Sequence, residues 1–302
     1  MTVRLRDVTL RDGLQDERPI STEDKLALLT HLLAAGVSDL ELSSFARADR
    51  VPAMADAEQF CSAVVAMDVP AVLWGLVLNL RGAQRAISAG MRHLEFVVSV
   101  SESHNYENVR RTVADSMAEL ARIIELVTDV DGVVDITFAT AFGCPFQGPV
   151  APEAVLKVAE QAMALGLRRF TLADTIGTAM PNEVTGLVTA IARLAEPEEL
   201  GIHLHDTRGL AIANALAGIE AGADRVDGAL GGLGGCPFAP GASGNLPLED
   251  LVHALEGMGL HTGIDLDELL GAARFACARL GRASTSHVGV AGPRFAHLAA
   301  VS

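Results

Sequence analysis

Short runs of apolar and β-branched residues recur along the chain, and each precedes a segment with apolar residues at helical spacing. Eight of these runs predict β-strands: Val3–Leu10, Asp39–Ser43, Ala71–Leu78, His93–Val100, Val133–Ala141, Arg169–Asp174, Gly201–His205 and Arg225–Leu230. Apolar residues three and four positions apart predict amphipathic helices over Thr22–Ala35, Asn105–Val127, Pro152–Leu165, Pro181–Leu194 and Leu210–Ala221.

The regular alternation of strands and helices indicates the fold class. It continues without a break in composition or a Ser/Pro-rich linker, so we predict an α/β fold, a single (β/α)8 barrel spanning residues 1–302 as one catalytic domain. An open doubly wound sheet is the competing fold, but no G-x-G-x-x-G motif follows the first strand. The pattern over Asp265–Leu280 predicts an extra helix, so that residues 265–302 form a C-terminal helical extension. Within it, Ala283–Ser302 has no usable periodicity.

Composition narrows the class of protein. With 302 residues, 50% of them hydrophobic, the chain can bury a large core, and with only 4% aromatic residues, Ala, Val and Leu must fill it. The formal net charge of −15 argues against nucleic acid or an anionic membrane as a partner. The N-terminus has no apolar signal core, and no uncharged apolar run approaches the ~18 residues of a membrane span. We therefore expect a cytoplasmic protein.

The four cysteines are widely spaced and form no C-x-x-C pair, so neither a zinc ribbon nor a disulfide framework is indicated. Cys61 and Cys277 lie in helical patterns and are expected to be inert core thiols. Cys144 and Cys236 differ from them, because each lies in a Gly-Cys-Pro-Phe segment.

Polar residues mark the carboxyl ends of the predicted strands, where the chemistry of such a barrel gathers. They are Arg11, Asp12, Gln15, Glu41, Ser43, Ser44, Asn79, Ser99, Ser101, Thr140, Asp174, Thr175, His203 and His205. Any one of them could be a helix cap or a hydrogen-bonded strand end. Together they predict an acidic, imidazole-rich and solvent-accessible barrel mouth.

His203 and His205 alternate with apolar residues, so both imidazoles project from one face of the predicted strand. Two imidazoles on a rigid strand provide half of a ligand set for a divalent cation, which carboxylate and carbonyl oxygens could complete. Two histidines that are each hydrogen-bonded at a polar strand end would show the same pattern.

Six motifs occur in a fixed order: Thr9–Glu17, Glu41–Phe45, Gly143–Gly148, Asp174–Gly177, His203–Thr207 and Gly232–Asn245. Together they resemble the 3-hydroxy-3-methylglutaryl-CoA lyase family, metal-dependent TIM-barrel lyases and Claisen-condensing synthases with an Arg-Asp motif on strand one. The resemblance covers the chain from about Val8 to Leu266.

The resemblance implies retro-Claisen cleavage of 3-hydroxy-3-methylglutaryl-CoA to acetyl-CoA and acetoacetate. It also implies a bound Mg²⁺ or Mn²⁺, an acyl-CoA as the substrate partner, a homo-oligomer (a dimer), and a place in leucine degradation and ketone-body formation. The metal ligands that it implies are Asp12, His203, His205 and Asn245.

The resemblance also implies catalytic roles. Arg11 would face the oxyanion that develops on the thioester. Cys236 would hand a proton to the enolate carbon. Glu41 and Asp174 would handle protons or orient the metal ligands.

The match is weaker where the substrate would bind. Arg208 stands where the better-studied lyases have Tyr, and Leu78 stands where they have Pro. Arg208 could contact a substrate carboxylate or a CoA phosphate, or cap a helix in solvent. Gln15 and Asn79 are candidate substrate or CoA contacts by position alone.

Three alternatives therefore remain open. One is a sibling lyase acting on citramalyl-CoA or a longer 3-hydroxy-3-alkylglutaryl-CoA. Another is a condensing acyltransferase of the isopropylmalate or homocitrate synthase type, although those relatives usually carry a long C-terminal regulatory region. The last is a catalytically silent barrel that senses CoA esters.

Overall fold

The computed structural model describes residues 3–235 and 244–295. Eight parallel strands close into a barrel, in the spatial order β1-β8-β7-β6-β5-β4-β3-β2. Their bounds are Arg4–Asp7 (β1), Asp39–Ser44 (β2), Val72–Val77 (β3), His93–Ser99 (β4), Val133–Ala139 (β5), Arg169–Asp174 (β6), Glu199–Leu204 (β7) and Arg225–Gly228 (β8). The predicted (β/α)8 barrel is confirmed.

Helices surround this barrel. Their bounds are Thr22–Ala34 (α1), Ala57–Ala66 (α2), Leu80–Ser88 (α3), Glu102–Val109 (α4), Val113–Thr128 (α5), Pro152–Ala164 (α6), Pro181–Ala195 (α7), Ala211–Glu220 (α8), Leu248–Gly257 (α9), Leu266–Leu280 (α10) and His287–Ala291 (α11). Short 3₁₀ turns cover Pro52–Met54 and Leu230–Gly232, and a two-residue antiparallel pair joins Gly143–Cys144 to Gly148–Pro149. Helix α10, the predicted extra helix, packs against α1. None of the helices in the described ranges is long and apolar enough to cross a membrane.

The first predicted strand, Val3–Leu10, is wrong beyond Asp7. The Asp7 carboxylate accepts hydrogen bonds from the backbone N–H of Thr9 (3.0 Å) and from its hydroxyl (2.7 Å), which turns the chain out of the ladder. Thr9–Gly13 then forms one buried π-helical turn. This turn places Arg11 and Asp12 at the barrel mouth.

The single helix predicted over Asn105–Val127 is also wrong, because two helices cover that range. Arg110 adopts a left-handed conformation (φ 56°) that ends α4. Thr112 then starts α5 as its N-cap, accepting a hydrogen bond from Asp115 N at 3.0 Å. The apolar periodicity continues across both helices and conceals the break.

A layer of buried charge fills the centre of the barrel. The guanidinium of Arg6, on β1, reaches Glu95 on β4 (3.1 Å) and Asp135 on β5 (3.2 Å). Neither of these strands is next to β1, so the side chains meet across the barrel interior. The members of this buried charged layer are Arg6, Arg225, Asp39, Glu95, Asp135, Glu199 and Asp227. The expectation that Ala, Val and Leu fill the interior therefore holds between strands and helices but not inside the barrel.

Gly201 makes room for this layer. It lies opposite Arg225 in the β7–β8 ladder, and a Cβ at Gly201 would lie only 2.4 Å from Arg225 Nη2. A larger residue there would displace the arginine.

Asp7 gives a stability prediction. Its carboxyl group is fully buried, and burial raises its pKa to about 7, above the ~3.9 of an unfolded chain. The folded state therefore holds this proton more tightly, and the stability linked to it is present at low pH and lost as pH rises through about 7. Between pH 5 and pH 8, the free energy of unfolding should fall more in the wild type than in Asp7→Asn, by roughly 2 kcal/mol or more.

Urea unfolding at both pH values measures this difference. Asp129→Asn, at an exposed position after α5, is the matched control and should keep the wild-type slope. Equal slopes in the wild type and Asp7→Asn would contradict the prediction.

Candidate active site and metal centre

Three chain segments bring a carboxylate and two imidazoles together at the barrel mouth. Asp12 lies on the π-helical turn after β1, His203 is near the end of β7, and His205 follows β7 in an isolated bridge with Asn245. Asp12 Oδ2 is 3.3 Å from His205 Nε2 and 3.8 Å from His203 Nε2, and the two Nε2 atoms are 3.3 Å apart. One ligand atom from each of these three residues lies within 4.8 Å of the others, a spacing that could hold a metal ion.

Asn245, the fourth predicted ligand, lies against this cluster. Its Nδ2 donates to Asp12 Oδ2 at 2.7 Å and to the Leu233 carbonyl at 3.0 Å. Its Oδ1 is buried without a hydrogen-bond partner within the described residues. Such an oxygen costs free energy unless a donor or a cation satisfies it. Imidazole, carboxylate and amide groups together suit Mg²⁺ or Mn²⁺, so the residues fit the expected ion.

The structure corrects the expected exposure of the histidines. His203 is only 7% exposed and His205 only 5%, so the prediction of a solvent-accessible pair is wrong. They are buried because the π-helical turn and the returning segment at Asn245 lie against them. Gly234 allows that close packing: its φ is +106°, and a Cβ there would lie 2.5 Å from Asn245 Nδ2.

Electrostatics keep Asp12 ionised. Burial works to raise the pKa of Asp12, but the charge of Arg11 and the contact with His205 hold it well below its ordinary value. At His203, burial disfavours the imidazolium, yet the hydrogen bond to Asp227 and the charge of Asp12 raise its pKa. The cluster thus has a stable negative centre for a cation.

Arg11 links the cluster to Glu41. Its Nε donates to Glu41 Oε2 at 2.6 Å, and its Nη1 contacts Asp12 Oδ1. Nη2 makes no hydrogen bond within the described residues, so it is the donor left for a substrate oxygen. Burial raises the pKa of Glu41 to about 8 against the opposing charge of Arg11, which makes this carboxyl group able to hold a proton near neutral pH.

Asp174, at the end of β6, is not one of the three clustered ligands. Its carboxylate accepts hydrogen bonds from the backbone N–H groups of Thr178 (2.8 Å) and Ala179 (2.9 Å). Burial raises its pKa against these two bonds, and it is close enough for the charge of His205 to act on it. The structure therefore shows a turn-capping role for Asp174, beside the cluster.

The three candidate substrate contacts are dispersed around the mouth. Gln15 is half-buried just after the π-helical turn. Asn79 caps α3 by accepting a hydrogen bond from Gly82 N at 2.8 Å. Arg208 is exposed, and its Nη1 donates to the carbonyls of Ile176 and Gly177.

Asn79 also lines a cleft of about 790 Å³ beside the ends of β2 and β3. Four arginines line that cleft, on a chain whose net charge is −15: Arg47, Arg81, Arg85 and Arg111. None of the clustered metal-ligand candidates lines it.

The structure describes three of the four cysteines. Cys236 lies outside the described residues. Cys61 and Cys277 are buried in α2 and α10, as expected of core thiols. Cys144 is buried, with its thiol 3.0 Å from the hydroxyl of Ser101.

Sequence reasoning missed Asp227. Its Oδ2 accepts a hydrogen bond from His203 Nδ1 at 3.3 Å. The signal was available in β8, where Arg225 and Asp227 alternate with Val226 and so must share one face of the strand.

Comparison with known proteins identifies the family of this chain. The HMGL-like family model matches residues 2–276. The (R)-citramalyl-CoA lyase of Chloroflexus aurantiacus is 40% identical over 301 residues, covering 96% of this chain and 95% of that protein. The mitochondrial hydroxymethylglutaryl-CoA lyase of Homo sapiens is 35% identical over 288 residues, covering 95% and 88%.

A solved structure is also similar throughout. An HMG-CoA lyase from Acenitobacter baumannii, in complex with coenzyme A and 3-methylmalate, superposes with a TM-score of 0.93 at 40% identity and covers 98% of this chain and 96% of that chain. The barrel and these matches define the chain as a carbon–carbon lyase. It belongs to the HMGL-like family, and the resemblance seen in its motifs is confirmed.

Proposed function

We propose that this lyase cleaves 3-hydroxy-3-methylglutaryl-CoA, or a close 3-hydroxyacyl-CoA, to acetyl-CoA and a keto acid. The observation that carries the proposal is the convergence of Asp12, His203 and His205 beside the Arg11 guanidinium, whose Nη2 makes no hydrogen bond to any residue that the structure describes. These three residues and Asn245 would hold Mg²⁺ or Mn²⁺. When bound, the cation supplies the Lewis acidity that lowers the pKa of the substrate's tertiary hydroxyl.

The protein's own groups account for the remaining proton and charge transfers. As the hydroxyl proton leaves, with Asp174 as its acceptor, the carbonyl of the keto acid forms and the bond between C2 and C3 breaks. The electron pair passes into the enolate of the acetyl thioester, whose oxyanion Arg11 Nη2 would stabilise as a hydrogen-bond donor. Cys236 returns a proton to the enolate carbon, and Glu41, with its raised pKa, is the alternative donor.

Arg11→Met gives a prediction for this step. Loss of the oxyanion donor should lower kcat by roughly 10²–10³-fold and change KM little, because Arg11 is needed when charge develops. Steady-state kinetics with saturating Mn²⁺ measure both constants.

Arg282→Met is the matched control. It removes another arginine–glutamate contact of 2.6 Å, between a half-exposed Arg282 and Glu17, outside the cluster. It should leave kcat unchanged. A higher KM with unchanged kcat in Arg11→Met would assign Arg11 to substrate binding instead.

The acyl group is the finer part of the proposal. Relatives named for 3-hydroxy-3-methylglutaryl-CoA and for citramalyl-CoA both match most of this chain, at 35% and 40% identity. Arg208, where Tyr was expected, supports keeping citramalyl-CoA as the second candidate. Cleavage of citramalyl-CoA would give acetyl-CoA and pyruvate.

The phosphates of CoA are negatively charged, so a protein with a net charge of −15 must offer them a local group of cationic side chains. Gln15, Asn79 and Arg208 remain proposed contacts. Asn79 shares its cleft with Arg81, whose guanidinium has no ion pair within the described residues and is free for a phosphate. The cytoplasmic location, the dimer and the place in leucine degradation stay predictions.

A substrate panel tests the proposal. Metal-loaded protein is incubated with both CoA esters and a longer 3-hydroxy-3-alkylglutaryl-CoA, and the products are identified by mass spectrometry. We expect the highest kcat/KM with 3-hydroxy-3-methylglutaryl-CoA. Preference for citramalyl-CoA would establish the sibling activity, and net condensation from acetyl-CoA and a keto acid would indicate the transferase. Tight binding of every ester without turnover would indicate a sensor.

A further inference from the structure

The β7–β8 ladder places an unassigned carboxylate behind one of the proposed metal ligands. Asp227 is paired directly with His203 in the register of these parallel strands. Its Oδ2 is 3.3 Å from Nδ1 of the imidazole, the nitrogen on the far side from the cluster. Asp227 is only 2% exposed, so water does not compete strongly for this bond.

The other oxygen of Asp227 is held by a fixed cation. Oδ1 contacts Nη1 of Arg225, which is fully buried. Arg225 is itself fixed by Glu199 Oε1 (2.8 Å from Nε) and by the Thr171 hydroxyl (2.6 Å from Nη2). A carboxylate buried against a buried guanidinium forms an ion pair with it, so these two contacts hold Asp227 in place as an acceptor beside His203.

This arrangement determines which imidazole nitrogen carries the proton. An ionised carboxylate only accepts hydrogen bonds, so Nδ1 of His203 must be the protonated nitrogen. Nε2 then presents its lone pair to Asp12 and His205, as a metal ligand must.

We propose that Asp227 is a positioning residue that fixes the tautomer and orientation of His203 for metal binding, held in place by Arg225 in the buried charged layer. This inference rests on the proposed metal centre. It adds a residue that acts on the cation only through His203.

The Asp227→Asn substitution should reverse the direction of the hydrogen bond between residue 227 and His203 Nδ1. Arg225 has no acceptor and requires an oxygen, so the amide oxygen of Asn would face Arg225 and the amide N–H would face His203. Nδ1 would then be the acceptor and the proton would move to Nε2, where it blocks coordination.

The test is Mn²⁺ binding, measured by the EPR signal of free Mn²⁺ and independent of turnover. Asp227→Asn should raise the Kd by about 10–100-fold. Asp39→Asn is the matched control, because Asp39 is another buried carboxylate that accepts a hydrogen bond from a buried arginine, Arg6 Nε, at 2.8 Å. It shares no partner with His203, so its Kd should change by no more than about twofold.

Equal losses in both variants would show that the charged layer acts only through stability, and an unchanged Kd in Asp227→Asn would refute the positioning role. If wild-type protein binds no Mn²⁺, the proposed metal centre is wrong, and so is the role of Asp227. If the protein binds Mn²⁺ tightly but cleaves no ester, only the proposed activity is contradicted.

If Asp227→Asn does not fold, the wild type still decides the question. In ¹⁵N-histidine-labelled protein at a pH where the ring is neutral, the resonances that disappear in His203→Gln should show the proton on Nδ1. A ring protonated at Nε2 would overturn the proposal.

Discussion

His205→Ala and His203→Ala are each expected to lower Mn²⁺ affinity by more than ~100-fold and to remove most activity. Loss of a residue that only orients a ligand already costs about 10–100-fold, and loss of the ligand itself should cost more. Because both rings are buried, we also expect each variant to lose about 1–3 kcal/mol of stability, in place of the near-neutral change expected for exposed residues. Elemental analysis of purified protein and thermal unfolding measure the two effects.

His104→Ala is the matched control, since His104 is also buried and lies in α4, just after the carboxyl end of β4, where its Nδ1 contacts the Ser99 hydroxyl at 2.7 Å. It should lose stability and keep its metal. Full metal content in both His203→Ala and His205→Ala would show that the ligand assignment is wrong.

Cys236→Ser is expected to lower kcat by roughly two to four orders of magnitude, the range for losing one general acid or base. Cys236 follows Gly235, and the preceding Gly234 lies against Asp12 and Asn245. Gly234, two residues before the cysteine in sequence, is therefore in contact with the cluster. Binding of Mn²⁺ and of a non-cleavable CoA ester should stay close to normal, because the thiol is needed only to protonate the enolate.

Kinetics and ligand titration separate these effects. Cys144→Ser, at the other Gly-Cys-Pro-Phe segment, is the matched control and should retain its kcat. Weaker ester binding with little change in kcat would point to a loop that only shapes the pocket. Unchanged turnover in Cys236→Ser would refute the role of the thiol and assign the proton transfer to Glu41.

The barrel could be predicted from the chain because its strands and helices each carry their own periodicity. His203 and His205 were found for the same reason: two polar residues at a spacing of two share one face of a strand. The π-helical turn could not be found in this way, since Val8 and Leu10 continue the apolar pattern past the point where Asp7 bends the backbone. The strand pattern placed Asp12 at the barrel mouth, but its role as a metal ligand came only from the resemblance to the family.

Tertiary relationships account for the other differences. Asp227 becomes meaningful only once the β7–β8 register places it beside His203. The burial of the histidines depends on Asn245, which returns to the cluster from some forty residues away in sequence. The charged layer depends on β1 facing β4 and β5 across the barrel, and a one-dimensional pattern contains no information on that distance.

The central claim is a cleavage reaction that depends on the cation held by Asp12, His203, His205 and Asn245. The most direct test treats the purified protein with a chelator, removes the chelator, and follows acetyl-CoA release from 3-hydroxy-3-methylglutaryl-CoA and from citramalyl-CoA as Mn²⁺ or Mg²⁺ is added back. We predict that the metal-free protein releases no acetyl-CoA from either ester, and that one equivalent of cation per chain restores cleavage. Full cleavage by protein shown to contain no metal, or no cleavage of either ester by the fully loaded protein, would contradict this account.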